Sequence, residues 1–254
     1  MSMEEAYVKR KDLENGITEV EFFHPIHNSL PSNILSKLAT EITTCGQDDS
    51  VSVIILRSGG DRTFCAGASF DELITIDDLE TGKKFFSGFA HVINACRKCP
   101  KLIIGRVQGK AVGGGVGLAS AVDYCLATRF ASIKLSELNV GIGPFVVGPA
   151  VERKMGTAAT SQISINANEF YDAKWAESKG LYAEMHESVE ELDAAVMKLA
   201  NYLSNTNPEA RTGIKRAFWS GTDHWDELLA ERAAMSGKLV LSDFTKKALA
   251  RFQK

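Results

Sequence analysis

Short apolar strands alternate with helical segments through the first half of this 254-residue chain, and this alternation constrains the fold most strongly. Residues 51–56 and Leu102–Val107 are β-branched and aliphatic runs without a two-residue period, which is typical of strands buried on both faces. Helical spacing precedes the first run at residues 31–42 and separates the two runs at residues 80–95. Strands separated by helices predict βα repeats and a mainly parallel sheet, so we expect an α/β fold.

The two ends of the chain differ in character. Residues 7–11 and 17–23 alternate around Glu14-Asn15-Gly16, which predicts a β-hairpin. After Gly143 the spacing is mainly helical, at residues 152–155, 171–179, 189–203, 208–219, 225–235 and 243–252. We therefore expect a core over residues 1–195 and a helical region over residues 196–254 that packs on the core or on another subunit.

Composition excludes several classes of function. The net charge of −3 offers no basic surface for nucleic acid, and no apolar run approaches the ~20 residues that cross a membrane. The first twelve residues are polar and charged, unlike a signal peptide. Five cysteines suit a reducing cytoplasm better than a disulfide framework, and Cys96-Arg97-Lys98-Cys99 lacks the second ligand pair of a zinc site, so we expect no metal.

Two segments of small residues each follow a strand. Phe64-Cys65-Ala66-Gly67-Ala68-Ser69-Phe70 follows the first buried run, and Gly113-Gly114-Gly115 follows the second and opens a helical segment. The first N–H groups of a helix lack intrahelical partners, and small residues let backbone approach a ligand closely. Two such donors that converge on one point would stabilise an oxyanion. Neither segment matches a phosphate-binding loop.

These segments resemble those of the crotonase family, the enoyl-CoA hydratase/isomerase superfamily, and the resemblance extends over essentially the whole chain. It is carried by residues 28–30 (Asn-Ser-Leu), 64–70, 109–123 with their triple glycine and final Asp, 136–144 with Ser-Glu and Gly-Ile-Gly-Pro, 171–181, and 243–252. The resemblance implies a spiral of ββα units with a C-terminal helical region that forms trimers, often paired into hexamers.

The resemblance also implies roles for individual residues. Ala68 and Gly114 would donate the two N–H groups to the thioester oxygen of an acyl-CoA substrate, and Glu137 would be the catalytic carboxylate. Coenzyme A belongs to the substrate, so no separate cofactor is expected. The substrate-binding residues implied in this way are Asn28, Ser29, Leu30, Ala66, Gly67, Gly113, Phe145 and Phe252, with Lys247 or Lys254 beside Phe252.

Two departures from the pattern bear on the reaction. Hydratases of the family hold a water molecule between two glutamates, but the first of these positions is Gly117 here, and only Glu137 remains. Phe145 stands where the hydratases usually carry a small glycine near the water, so the pocket should be narrow and dry. A dry pocket raises the pKa of a carboxylate and suits it to abstracting a proton next to a thioester.

We therefore expect the chain to isomerise Δ3-enoyl-CoA to Δ2-enoyl-CoA. One alternative is a hydratase of short or branched enoyl-CoA, including methylglutaconyl-CoA-like substrates, in fatty-acid or branched amino-acid degradation. Another is a non-catalytic acyl-CoA-binding subunit. Further polar residues that could assist Glu137 are Asp71, Glu72, Ser120 and Asp123, of which Asp123 fits a structural role better. His24 and His27 flank the CoA-side turn, and His91 is expected on a pocket wall or the surface.

Overall fold

The computed structural model describes residues 5–251 and contains eleven strands and ten α-helices within that range. The strands are β1 Tyr7–Asp12, β2 Ile17–Phe23, β3 Ser29–Leu30, β4 Val53–Ser58, β5 Thr63–Cys65, β6 Gly67–Ala68, β7 Leu102–Val107, β8 Lys110–Val112, β9 Tyr124–Thr128, β10 Ile133–Lys134 and β11 Glu184–His186. The helices are α1 Ser32–Gln47, α2 Phe70–Leu73, α3 Leu79–Lys98, α4 Gly114–Ala121, α5 Gly148–Ile165, α6 Ala173–Ser178, α7 Val189–Ser204, α8 Pro208–Phe218, α9 Trp225–Val240 and α10 Asp243–Leu249.

The strands form one main sheet and two small ones. The main sheet has the order β1-β2-β4-β7-β9-β11, which follows the chain, and every pairing after the β1–β2 hairpin is parallel. The small sheets are β10-β8-β5 and β3-β6, and both are parallel. Repeatedly, a strand of the main sheet is followed by a strand of a small sheet and then by a helix, as in β7, β8 and α4. This repetition is the expected spiral of ββα units.

Local sequence signals explain most element boundaries. The predicted hairpin is confirmed, with Asn15 and Gly16 both at positive φ in the turn between β1 and β2. Pro31 precedes α1 rather than lying in its first turn, and its carbonyl accepts the N–H groups of Ile34 and Leu35. Asp78 caps α3 by accepting a hydrogen bond from the N–H of Thr81 at 2.9 Å.

Helix α7 covers one face of the main sheet. Its Leu192, Val196 and Ala200 pack in a buried cluster with side chains of β2, β4, β7 and β9, which include Ile55 and Ile104. The expected boundary between residues 195 and 196 therefore falls inside a helix that belongs to the core. Helices α8 to α10 follow it.

Helix α9 lies against α3 at a contact without side chains. A Cβ atom on Gly82 would lie 2.9 Å from the Cα atom of Gly237, and a Cβ on Gly237 would lie 2.6 Å from the nitrogen of Lys83. Only glycine at both positions allows the backbones to come this close. The last long helix is therefore seated directly on the helix that carries Phe85 and Phe89.

Asp123, at the end of α4, ties the core to α8. Its Oδ1 accepts a hydrogen bond from Trp219 Nε1 at 2.9 Å, and its Oδ2 accepts from Lys215 Nζ and the Ile103 N–H, both at 2.8 Å. The Lys215 side chain is only 3 % exposed. The structural role expected for Asp123 thus agrees with its contacts.

We expect Asp123→Ala to lower the free energy of unfolding by about 3–5 kcal/mol, because it leaves the buried Lys215 ammonium without its counter-charge. Urea titration with an unchanged m value would measure this loss. Glu187→Ala is the matched control, since its ion pair with Arg129 is exposed and should contribute no more than about 1 kcal/mol. Equal losses in the two variants would contradict the expectation.

Candidate active site

A cavity of about 370 Å³ lies where β3, β6, the start of α4 and the turn at Glu137–Val140 meet. Most of its wall is apolar. The polar side chains on its wall belong to His27, Ser29, Ser136, Glu137 and Ser236, and the large apolar ones to Ile26, Phe70, Leu73, Phe85, Phe86, Phe89, Val140, Ile142, Phe145, Val146 and Val147. Among the described lining residues, Glu137 is the only carboxylate, so any proton transfer by an acid side chain in this cavity falls to it.

The backbone at Ala68 contributes one candidate donor. In the parallel pairing of β3 with β6, Leu30 is the bonded residue opposite Ala68, and its carbonyl accepts the Ser69 N–H at 3.0 Å. The N–H of Ala68 therefore points away from β3. The Ala68 carbonyl is held by the Ser29 hydroxyl, which donates to it at 3.0 Å. These contacts fix the orientation of the Ala68 peptide on the cavity wall.

The second candidate donor opens α4. Gly114 is the first residue of this helix, so its N–H has no intrahelical acceptor. The preceding Gly113 has a positive φ of 53° and donates its own N–H to the Lys134 carbonyl at 2.8 Å. A Cβ atom on Gly67 would lie 3.5 Å from the Gly114 nitrogen, so the two small-residue segments touch. The expected pair of donors is thus brought to one side of the cavity.

Glu137 lies across the same corner of the cavity. A Cβ atom on Gly113 would lie 3.1 Å from Glu137 Oε1, which puts the carboxylate against the loop that opens α4. Its Oε2 is buried and has no hydrogen-bond partner in residues 5–251. Burial raises the pKa of Glu137 to about 7. A carboxyl group with such a pKa can take up and release a proton near neutral pH.

The space beside Gly117 is filled. A Cβ atom there would lie 2.4 Å from Val147 Cγ1 and 2.8 Å from Val147 Cβ, so no larger side chain fits without displacing Val147. Phe145 lines the cavity, and its ring lies 2.5 Å from where a Cβ on Gly143 would be. The sequence indicates bulk at Phe145, Val146 and Val147, but it does not indicate the contact between Val147 and Gly117, because only the packing of the start of α5 against α4 reveals it.

The remaining expected binding residues divide into three groups. Ser29, Ala66, Gly67 and Gly113 line the cavity. Asn28 and Leu30 do not: Asn28 is buried and donates to the carbonyls of Gly59 and Thr63, both at 2.9 Å, and Leu30 belongs to the hydrophobic core. Phe252 and Lys254 lie outside the described residues, and Lys247 is exposed on α10.

The other candidate side chains are engaged or lie elsewhere. Glu72 Oε2 accepts hydrogen bonds from the backbone and hydroxyl of Ser32, and Ser120 donates to the Val116 carbonyl. Asp71 is exposed, and His91 is exposed on a different face. His27 lines the cavity, whereas His24 does not. Sequence reasoning also missed Leu73 and Ser236, whose positions on the wall depend on how α2 and α9 pack.

The cysteines, the possible metal ligands and the helices each bear on whether the described residues offer another kind of functional site. All five cysteines are buried and free, and burial raises the pKa of Cys65, Cys96 and Cys125 to about 12. No group of His, Cys, Asp and Glu side chains in residues 5–251 could hold a metal ion. No described helix is long and apolar enough to cross a membrane.

Comparison with known proteins gives a consistent result. The family model described as enoyl-CoA hydratase/isomerase matches residues 12–253. Peroxisomal Δ(3,5)-Δ(2,4)-dienoyl-CoA isomerase of Arabidopsis thaliana is 27 % identical over 81 % of this chain and 78 % of its own length. Mitochondrial methylglutaconyl-CoA hydratase of Rattus norvegicus is 31 % identical over 75 % of this chain, but only 60 % of the rat protein is covered.

The fold is also found in solved structures. An enoyl-CoA hydratase from Bacillus halodurans superimposes with a TM-score of 0.88 at 20 % identity, covering 96 % of this chain and 99 % of that one. A structure from Pseudomonas aeruginosa, OdaA, superimposes with a TM-score of 0.85 at 21 % identity, covering 96 % and 98 % of the two chains. At these identities the likeness concerns the fold.

Proposed function

Because this chain belongs to the enoyl-CoA hydratase/isomerase family of enzymes, we propose that it moves the double bond of an enoyl-CoA from the Δ3 to the Δ2 position, with Glu137 as its only proton carrier. The observation that carries this proposal is the single buried carboxylate in an otherwise apolar cavity. One carboxylate suffices to move a proton between two carbons of the same substrate.

The proposed reaction runs through an enolate. The thioester oxygen accepts hydrogen bonds from the N–H groups of Ala68 and Gly114, which lowers the energy of the negative charge that develops on it. Glu137 removes a proton from C2, and the electrons of that C–H bond form the enolate. The enolate collapses to a C2=C3 double bond as C4 takes the proton back from Glu137. The substrate carries coenzyme A itself, and the proposed reaction needs no separate cofactor.

Hydration is less well supported by these residues. A water molecule added across C2=C3 must be both oriented and deprotonated, and the family resemblance assigns this work to two glutamates. Val147 fills the space at Gly117, where the second glutamate would stand. The alternative of a methylglutaconyl-CoA-like hydratase draws on mitochondrial relatives such as that of Rattus norvegicus, of whose length the chain covers 60 %. The alternative of a non-catalytic binder leaves the buried, unpartnered Oε2 of Glu137 without a use.

An absorbance assay at the enoyl-thioester band separates the two reactions. A trans-3-enoyl-CoA substrate should gain absorbance as the double bond becomes conjugated with the thioester. A trans-2-enoyl-CoA should lose absorbance far more slowly in the presence of the same enzyme, because hydration removes the conjugated bond. Loss from the trans-2 substrate at a comparable rate would overturn the isomerase proposal.

We also propose that the chain assembles as a trimer or a pair of trimers and that it acts in the cytoplasm. Large apolar side chains exposed on α7 and α8, namely Tyr202, Ile214 and Phe218, support a surface that another subunit covers. The buried free cysteines support a reducing compartment. Light scattering should give a mass of about three or six times 27.6 kDa, and a monomeric mass would contradict the assembly.

A further inference from the structure

We infer that the cavity selects acyl groups that are uncharged hydrocarbon chains and rejects acyl groups that end in a carboxylate. This inference rests on the proposed function and narrows its substrate class. It bears directly on the difference between simple enoyl-CoA substrates and carboxylated ones such as methylglutaconyl-CoA, the substrate in the name of the rat relative.

The cavity wall carries few charged side chains. Among the described residues that line the cavity, none is a lysine or an arginine, and the one carboxylate is Glu137. His27 is the remaining titratable residue, and it is exposed at the β3 side, next to the exposed Ile26. A substrate carboxylate in the interior would therefore find no counter-charge, and it would share a small space with Glu137. Burying an unpaired charge is strongly unfavourable.

Apolar side chains lie behind part of the cavity wall. The lining side chains Leu73, Phe85 and Ile142 are backed by a buried cluster that includes Ile76 and Leu249. The side chains packed directly behind these lining residues are therefore apolar.

The basic residues of α3 and α9, two of the elements that form the wall, do not line the cavity. On α3 and α9, Lys83, Lys84, Lys98 and Lys238 are exposed to solvent, and the buried Arg97 pairs with Asp226 and does not line the cavity. Arg232 is partly buried and lies one helical turn before Ser236, but it is not on the cavity wall. Apart from Glu137 and backbone N–H groups, the polar groups inside are hydroxyls, of which that of Ser236 belongs to a residue that is 1 % exposed. Hydroxyls can accept or donate hydrogen bonds, but they do not neutralise a carboxylate.

The test uses two saturated ligands, hexanoyl-CoA and adipyl-CoA, which have the same number of acyl carbons and differ only by a terminal carboxylate. Neither has a double bond to shift, so isothermal titration measures binding alone. We expect the full-length enzyme to bind adipyl-CoA roughly 100-fold or more weakly than hexanoyl-CoA. Equal affinities would overturn the inference and leave the proposed function standing. Failure of both ligands to bind would overturn the proposed function and this inference together.

A variant pair supplies a gain-of-binding test. Leu73 lines the cavity and is partly exposed, so Leu73→Lys can place an ammonium group at the wall while its stem covers the apolar surface. We expect this variant to reduce the ratio of the two ligands' dissociation constants at least tenfold. Leu73→Met, which changes shape but not charge, should keep the wild-type difference. If both variants shift the difference equally, charge does not set the selectivity and the inference fails.

Discussion

Glu137→Gln should lower kcat for the double-bond shift by about 10³-fold or more while leaving acyl-CoA binding within a few-fold of wild type. The amide has nearly the shape of the carboxyl group but cannot accept the C2 proton. Stopped-flow absorbance with a trans-3-enoyl-CoA and titration with hexanoyl-CoA would measure the two quantities. Asp71→Asn is the matched control, because Asp71 is exposed and does not line the cavity. A Glu137→Gln variant with wild-type turnover would remove Glu137 from the mechanism.

The same residue makes the pH profile diagnostic. Burial raises the pKa of Glu137 to about 7, so the reactive carboxylate form should disappear as the pH falls below that value. The rate should therefore drop about tenfold per pH unit below pH 7 and level off above it. Because the pKa in the folded state lies above that of the unfolded chain, stability should fall as the pH rises toward 7. Glu137→Gln should remove the pH dependence of the rate and this contribution to the pH dependence of stability. The variant should also be more stable than the wild type at pH 8.

Gly114→Ala should lower kcat by about 10²–10³-fold, the loss expected when one oxyanion donor is displaced. The new Cβ atom would lie 2.2 Å from Phe89 Cζ, so the first turn of α4 or the Phe89 ring must move. Movement of that turn displaces the Gly114 N–H from the thioester oxygen. Steady-state kinetics, with folding checked by circular dichroism, would measure the effect.

Two variants separate displacement of the donor from general damage. Gly213→Ala makes the same chemical change in α8, where nothing lies within 4 Å of the new Cβ, and it should leave the rate unchanged. Phe89→Leu combined with Gly114→Ala relieves the contact and should recover part of the lost rate. A double variant as inactive as Gly114→Ala, with Phe89→Leu alone active, would indicate that the loss does not come from this contact.

The parts of the fold that sequence could predict are those governed by local pattern. The hairpin around Asn15 and Gly16 follows from alternation and a turn that needs positive φ. The strand Leu102–Val107 was predicted with its observed bounds, because a strand buried on both faces has few polar residues to blur its ends. The triple glycine indicated the start of α4, since a helix that begins beside a ligand needs small residues.

The candidate site was less accessible to sequence because its walls come from distant segments. Val147 meets Gly117 across two packed helices, and no local pattern encodes that contact. Asn28 was expected beside coenzyme A, but a residue at positive φ with an amide side chain also suits a buried loop, and that is where its hydrogen bonds go. Ser236 carries no signal of its own in a helix whose other buried residues are apolar.

The contact between Gly82 and Gly237 couples the spacing of two helices to the shape of the cavity. Phe85 and Phe89, which line the cavity, are carried by the helix that bears Gly82, one to two turns farther along. A methyl group at either glycine would lie within 3 Å of backbone atoms of the other helix, so the distance between the two helices would have to increase. A substitution at this contact should therefore change which acyl chains fit the cavity, although neither glycine lines it.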